Sequence, residues 1–181
     1  MLILLSNIRD KNIYHGSYME VKNPNLKKCK KGKDFGRGFY LTTDRKQAID
    51  FAKMVARREG CYKGVLNIYK FSNFDNLDIF EFESANAEWL HCVVGNRKYE
   101  YRYLAQEYQK YDALLGKVAD DDTSTVINAY MIGAYGKVGS DIAVVDAVKR
   151  FKTSSLKNQI CLRTDKSLEK ITFFRSEDVW L

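Results

Sequence analysis

Two spacings of apolar residues run through the chain, and each predicts a different kind of element. Ala48, Phe51, Ala52 and Val55 recur at i, i+3, i+4 and i+7, the spacing of one buried helical face, and the stretch opens on Asp44 with Gln47 three residues later, the signature of a capping box. Residues 65–71 (VLNIYKF) are rich in β-branched and aromatic side chains and read as a strand. A strand is predicted at 12–15 and another where the glycine-punctuated segment 34–44 (DFGRGFYLTTD) turns apolar. Residues 72–83 are mixed, 85–94 read as a helix around Trp89, and 111–116 as a short buried strand closing on a glycine turn, with an acidic loop at 120–122. Two helices follow, the second capped by Ser140 and burying Val144, Ala147, Val148 and Phe151. Strands return at 159–163 and 171–174. Strands at the beginning, middle and end, with helices between and no regular βαβ alternation, predict an α+β fold and not a doubly wound sheet.

Length and composition narrow this only a little. The 181 residues amount to one to one and a half average domains, and with no repeat and no Pro/Ser-rich linker the chain reads as a single domain over 1–181. The apolar run 1–5 is far short of a secretory h-region or of the roughly twenty residues that cross a bilayer, so a cytoplasmic protein with no membrane partner is expected. Cys29, Cys61, Cys92 and Cys161 form no CxxC pair, and only His15 and His91 could assist them, so neither a disulfide framework nor a metal site is expected. Charge changes the picture more. Residues 1–70 carry 16 Lys and Arg against 6 Asp and Glu, residues 71–125 carry 5 against 11, and residues 126–181 carry 9 against 6. A basic first third, with a Lys-rich loop at 23–33, can face the phosphates of a nucleotide or of a nucleic acid, or can simply be a solvated surface.

Three short segments could carry chemistry. In Tyr14-His15-Gly16-Ser17 a glycine beside a histidine lets a ligand approach the backbone while the imidazole bonds a hydroxyl. In Gly36-Arg37-Gly38-Phe39-Tyr40 a Gly-x-Gly turn before an exposed tyrosine would offer an aromatic face to a flat ring, and Arg37 could meet a phosphate bidentately. The third segment is Asn158-Gln159. Taken singly each has an ordinary alternative: a satisfied strand histidine, a plain turn, an exposed loop arginine.

Together and in this order they resemble the ADP-ribosyltransferase superfamily, in the diphtheria-toxin and poly(ADP-ribose) polymerase branch with His, Tyr and Glu on three strands of a split sheet. The bacterial DUF3990 family is the nearer resemblance, through the Tyr-His-Gly-Ser start, the 34–44 segment, Glu88-Trp89-Leu90 and Asn96-Arg97. It implies an ADP-ribosyltransferase-like α+β fold of split antiparallel sheets with flanking helices. It also implies NAD as co-substrate, with no metal. His15 would hold ribose hydroxyls, Gly16 would present its N–H and C=O to the nicotinamide amide, Ser17 would add a polar contact, Tyr40 would stack on the ring, and Phe51, eleven residues later, would sandwich it. Core packing is the alternative for Phe51. Where the polymerase branch has a helix serine touching the amide, this chain has Ala48; where the third strand begins Asn-Glu, it has Gln159, which accepts a hydrogen bond but adds no negative charge. Asp34, Asp112 or the 120–122 cluster could compensate, though a loop cluster is usually just solvated.

The resemblance implies a mono-ADP-ribosyltransferase with His15, Tyr40 and Gln159 as its catalytic residues. It would act on a protein or nucleic-acid acceptor, as a bacterial toxin or effector, with a neutralising antitoxin as a further partner. NAD hydrolysis and a non-catalytic NAD or ADP-ribose binding module are the alternatives, and Gln159 and Ala48 motivate the second.

Overall fold

The strands divide into two sheets. In the computed structural model, which describes Ile8, residues 11–152 and residues 156–181, the chain runs β1 (Asn12–Ser17), β2 (Phe39–Leu41), α1 (Arg45–Arg58), β3 (Lys63–Phe71), β4 (Ile79–Glu81), α2 (Ala87–Arg97), a 3-10 segment (Tyr99–Lys110), β5 (Ala113–Lys117), α3 (Asp121–Met131), α4 (Asp141–Lys149), β6 (Asn158–Leu162), α5 (Asp165–Leu168) and β7 (Ile171–Trp180). The apolar run 1–5 lies outside the described residues. One sheet has the order β1-β3-β7 and is antiparallel throughout; the other has the order β2-β6-β5-β4. The fold is therefore α+β with two open sheets. The second sheet is mixed and not antiparallel as expected, because β4 pairs parallel with β5. Among the described residues one bridge, Tyr14 with Thr42, joins the sheets through a pair of backbone bonds of 2.8 and 2.9 Å.

Alternation along the strands builds four layers. Ile13, Phe39, Leu41, Tyr69, Leu115, Ile160 and Leu162 face one another between the two sheets. The far side of the second sheet sends Leu114 and Cys161 into a larger cluster with Trp89, Leu90, Tyr108 and Tyr130 from the helices. The far side of the first sheet carries α1, which packs Ala48 near Leu66 and Ile68.

That last contact is unusually close. A Cβ on Gly16 would sit 2.2 Å from the Ala48 carbonyl oxygen and 2.7 Å from the Ala52 nitrogen, and one on Gly64 would sit 2.6 Å from the Ala52 carbonyl oxygen. Only glycine strands facing an alanine stripe allow such a seat. The buried face of α1 is accordingly Ala48, Ala52, Val55 and Ala56, and Phe51, expected on that face, is 43% exposed. The core-packing alternative for Phe51 fails for this reason. The cap of α1 also differs from a full box: the Asp44 carboxylate accepts from the Gln47 N–H at 3.0 Å, but the Gln47 side chain accepts from the Thr42 hydroxyl.

The acidic residues 120–122 are the start of α3 and not a loop, since Asp120 caps it by accepting from the Thr123 N–H, and Asp122 pairs with Lys152. Among the described residues no helix is long and apolar enough to cross a membrane.

Candidate functional site

The two sheets part just beyond the Tyr14–Thr42 bridge, and His15, Gly16, Tyr40, Asp34 and Gln159 among the residues singled out in the sequence collect there. Tyr14 gives its N–H and C=O to Thr42, on the side of β1 away from β3. Because successive residues of a strand direct these groups to opposite edges, the N–H and C=O of Gly16 aim at the same open edge. Its missing side chain faces α1, so the glycine serves packing and exposes backbone at once. Ser17 closes the strand, buried, with its hydroxyl accepting from the Met19 N–H at 3.4 Å.

His15 lies over the Phe39 ring, with centroids 4.4 Å apart, and its Nδ1 is 2.8 Å from the Tyr40 carbonyl oxygen. A carbonyl only accepts, so Nδ1 carries the proton and Nε2 presents a lone pair. Burial lowers the His15 pKa, against the smaller opposite effect of this hydrogen bond, so the ring is neutral near pH 7.

Tyr40, on the helix-facing side of β2, is half-buried and not exposed as expected. Its hydroxyl donates to the Gly36 carbonyl at 2.8 Å and accepts from the Phe35 N–H at 3.0 Å, which ties the ring to the turn it follows. Burial holds this hydroxyl well above its ordinary pKa, so it remains a donor. Gly36 has φ +79°, a conformation that favours glycine, and a Cβ there would also meet the Asn96 side chain at 2.6 Å.

Gln159 sits on the same face of the sheet two residues before Cys161, the pairing partner of Tyr40. It is 8% exposed, and its Nε2 donates to the Lys117 carbonyl at 3.1 Å and reaches the Asp34 carboxylate at 3.5 Å. With its donors so placed, Oε1 is the atom left to accept from a ligand.

Asp34 is the hub. Arg97 Nε donates to its Oδ1 at 2.8 Å and Arg97 Nη2 lies 2.7 Å from the same oxygen, both side chains being largely buried, while the Ala119 N–H reaches Oδ2 at 3.4 Å. Asn96 donates to the Asp34 carbonyl at 3.4 Å and the Cys92 carbonyl at 2.9 Å. A continuous path therefore runs from His15 through Tyr40 and the Phe35–Gly36 turn to Asp34 and Gln159, and Asn96-Arg97 at the end of α2 brace it. The bracing role of Arg97 was not readable from spacing; the only sequence signal was the place of the Asn-Arg pair in the family resemblance.

Two expected members stand apart. Arg37 is exposed between its glycines, and Phe51 is exposed on α1; among the described residues neither shares a hydrogen bond, ion pair or ring contact with His15, Tyr40 or Gln159. Asp112 does not join the site. It lies at the other end of β5, where its carboxylate accepts from the Asp78 N–H and the Thr164 hydroxyl and pairs with Lys166. Among the described residues no group of three or more His, Cys, Asp or Glu side chains is placed to hold a metal ion. Cys161 and Cys92 are buried beside the site, and burial pushes the Cys161 thiol up to about 12, so it is no nucleophile.

A model of the family described as "Protein of unknown function (DUF3990)" matches residues 12–173, which includes every residue of the path. No curated protein matches the chain.

Proposed function

The chain belongs to the DUF3990 family, and from that premise we propose that it is an ADP-ribosyltransferase, splitting NAD at the nicotinamide glycosidic bond and passing ADP-ribose to a macromolecular acceptor. The observation that carries this reading is the path from His15 through Tyr40 to Gln159, three residues on three strands gathered where the sheets part.

Each group has a task that its surroundings suit. The Gly16 N–H and C=O can pair reciprocally with a carboxamide, as strand partners do. The His15 Nε2 lone pair accepts from a ribose hydroxyl, and Gln159 Oε1 accepts from another. Tyr40 offers a ring held by its own hydroxyl, Phe51 an exposed one on α1, and Arg37 an exposed guanidinium for a phosphate. The bond between ribose C1′ and nicotinamide breaks with its electron pair leaving on nicotinamide; the acceptor's lone pair forms the new bond to C1′ and its proton goes to solvent. The chain contributes position and an electrostatically suited site.

Gln159 provides no charge for the cation developing on the ribose. Asp34, 3.5 Å from its Nε2, is the nearest carboxylate on this path, and Arg97 offsets its charge. This favours slow transfer to a strong nucleophile, and it also supports a second reading, a module that binds NAD without turnover. Titration of the protein with NAD, followed by nicotinamide release with labelled NAD in a cell lysate, separates them. Nicotinamide release with label on macromolecules supports transfer, and release without labelling means hydrolysis. Binding without release means the module, and no binding refutes all three.

A further inference from the structure

The segment between β1 and the Asp34 turn has a composition that the site does not use. Residues 21–33 contain Lys22, Lys27, Lys28, Lys30, Lys31 and Lys33 and no carboxylate, and Arg37 follows four residues later. Among the ion pairs of the described residues only one, Lys22 with Glu20, reaches this segment, whereas lysines and arginines of the helices, of β3 and of β7 find partners such as Asp50, Asp146, Asp178 and Glu177. Lys27, Lys28, Lys30, Lys31, Lys33 and Arg37 are exposed and have no ion-pair partner among the described residues.

The segment is not a loose tail. At its start the Val21 N–H donates to the Asn67 side chain at 2.7 Å and the Val21 carbonyl accepts from the Tyr69 hydroxyl at 2.5 Å. In its middle Asn25 caps the 3-10 turn Leu26–Lys28 by accepting from the Lys27 N–H, and Cys29 packs against the core between the sheets. At its end the Lys33 carbonyl accepts from the Gly36 N–H at 2.9 Å, inside the turn that places Asp34 and Tyr40. Arg37 lies close enough to pull down the Cys29 thiol that burial raises. The unpaired cations are thus carried on an anchored segment that ends in the turn placing Asp34 and Tyr40.

We propose that segment 22–33 docks the phosphate backbone of a single-stranded nucleic acid and that this strand is the acceptor delivered to the site of His15 and Gln159. The proposal rests on the transferase reading for its second half only. Point cations on a short anchored segment recognise phosphates by charge, without a sequence code, so affinity falls with salt in proportion to the phosphates neutralised. A single strand is favoured over a duplex because the acceptor atom must reach half-buried His15 and buried Gln159, and a paired base reaches such a place only after unstacking. The transfer balances as above: C1′ exchanges nicotinamide for a base or ribose heteroatom of the strand, whose proton goes to solvent.

The test uses the whole chain and labelled oligonucleotides of mixed sequence, one RNA and one DNA, titrated at several salt concentrations. Wild type is expected to bind with a slope of log affinity on log salt of about −4, from six cations at about 0.7 each. The variant K27S/K28S/K30S/K31S, whose changes are all exposed and outside the NAD-binding set, should keep its melting temperature and NAD affinity, lose at least tenfold in oligonucleotide affinity near physiological salt, and show a slope shallower by about 3. Whichever of RNA and DNA also takes label from NAD is the acceptor. No binding of either strand, or equal binding by wild type and variant, overturns the docking surface; label that is lost to protease and not to nuclease overturns the acceptor. Failure of NAD to bind would sink the transferase reading and leave the docking surface to be decided by the oligonucleotide titration alone.

Discussion

Replacing Gln159 by glutamate puts the hub of the site under direct strain. In wild type the Gln159 amide donates to the Lys117 carbonyl at 3.1 Å and faces the Asp34 carboxylate at 3.5 Å. An ionised carboxylate in its place would have no proton for either, and at the 8% exposure of Gln159 little water would replace those contacts. The lost hydrogen bond costs about 1 kcal/mol. Two unit charges about 4 Å apart repel by about 4 kcal/mol at an effective dielectric near 20, and Arg97, already on Asp34, cancels more than half of that. We expect Gln159→Glu to lose about 2–3 kcal/mol at pH 8. The repulsion raises the glutamate's folded pKa above its unfolded one, so the folded state binds the extra proton and the deficit shrinks as pH falls from the folded pKa toward the unfolded value near 4.3. Urea unfolding of wild type and variant at pH 8 and pH 5 measures this. The deficit should narrow to under about 1 kcal/mol at pH 5, and adding Asp34→Asn should recover at least half of the loss at pH 8. Equal stability at pH 8, or a deficit of the same size at both pH values, would show that charge around Asp34 is not what Gln159 answers to.

Four further outcomes follow from the same geometry. Tyr40→Phe, which keeps the ring and loses the bonds to Phe35 and Gly36, should cost about 1–2 kcal/mol of stability with NAD affinity changed little; Tyr40→Ala should weaken NAD binding by about 1–3 kcal/mol, read by calorimetry. Gly16→Ala forces a methyl to 2.2 Å from the Ala48 carbonyl, and thermal unfolding should show a loss of about 2 kcal/mol or more. His15 has a folded pKa below its unfolded 6.5, so its contribution to stability falls as pH drops through 6.5 toward the folded pKa; wild type should lose stability faster than His15→Gln over that range, by at most about 1.4 kcal/mol per pH unit, in urea titrations. Nicotinamide release should persist after EDTA treatment and fall about tenfold in Gln159→Ala.

What the sequence disclosed and what it hid divide along physical lines. The cap and start of α1 were legible because Asp44 and Gln47 lie three residues apart, and the distance between a cap and the N–H it satisfies is a local matter. The inward face of the same helix was misread at Phe51, because periodicity records which positions are apolar and not how close the neighbour comes; glycines at 16 and 64 bring the strands so near that only alanines fit. The 120–122 cluster read as a loop because acidic residues suit loops and helix starts equally; its exposure is as expected. The parallel pairing of β4 left no mark in a three-residue strand, and β7 runs on to Trp180 past the apolar stretch that announced it, through the charged residues Arg175, Glu177 and Asp178. His15, Tyr40 and Gln159 were singled out from their segments, and the structure brings them onto one path, but the Asp34–Arg97 pair joins residues 63 apart in the chain, and no spacing encodes it. A carboxylate in place of the Gln159 amide looks like a simple gain of charge until Lys117 and Asp34 are seen beside it.

The close seat of α1 on β1 also ties the packing of the helix to the register of the strand. The residues on either side of Gly16 in the chain are Tyr14, His15, Ser17 and, just past the strand, Tyr18, every one of which carries a Cβ. A slip of one residue in the pairing of β1 with β3 would bring His15 or Ser17 under the helix, and a slip of two would bring a tyrosine, at a spot where even a methyl meets main chain at 2.2 Å. A strand so shifted would place a side chain against the α1 main chain where α1 now seats. The alignment that fits is the one that turns the imidazole of His15 toward Tyr40, so the seating of α1 and the placing of His15 depend on one register.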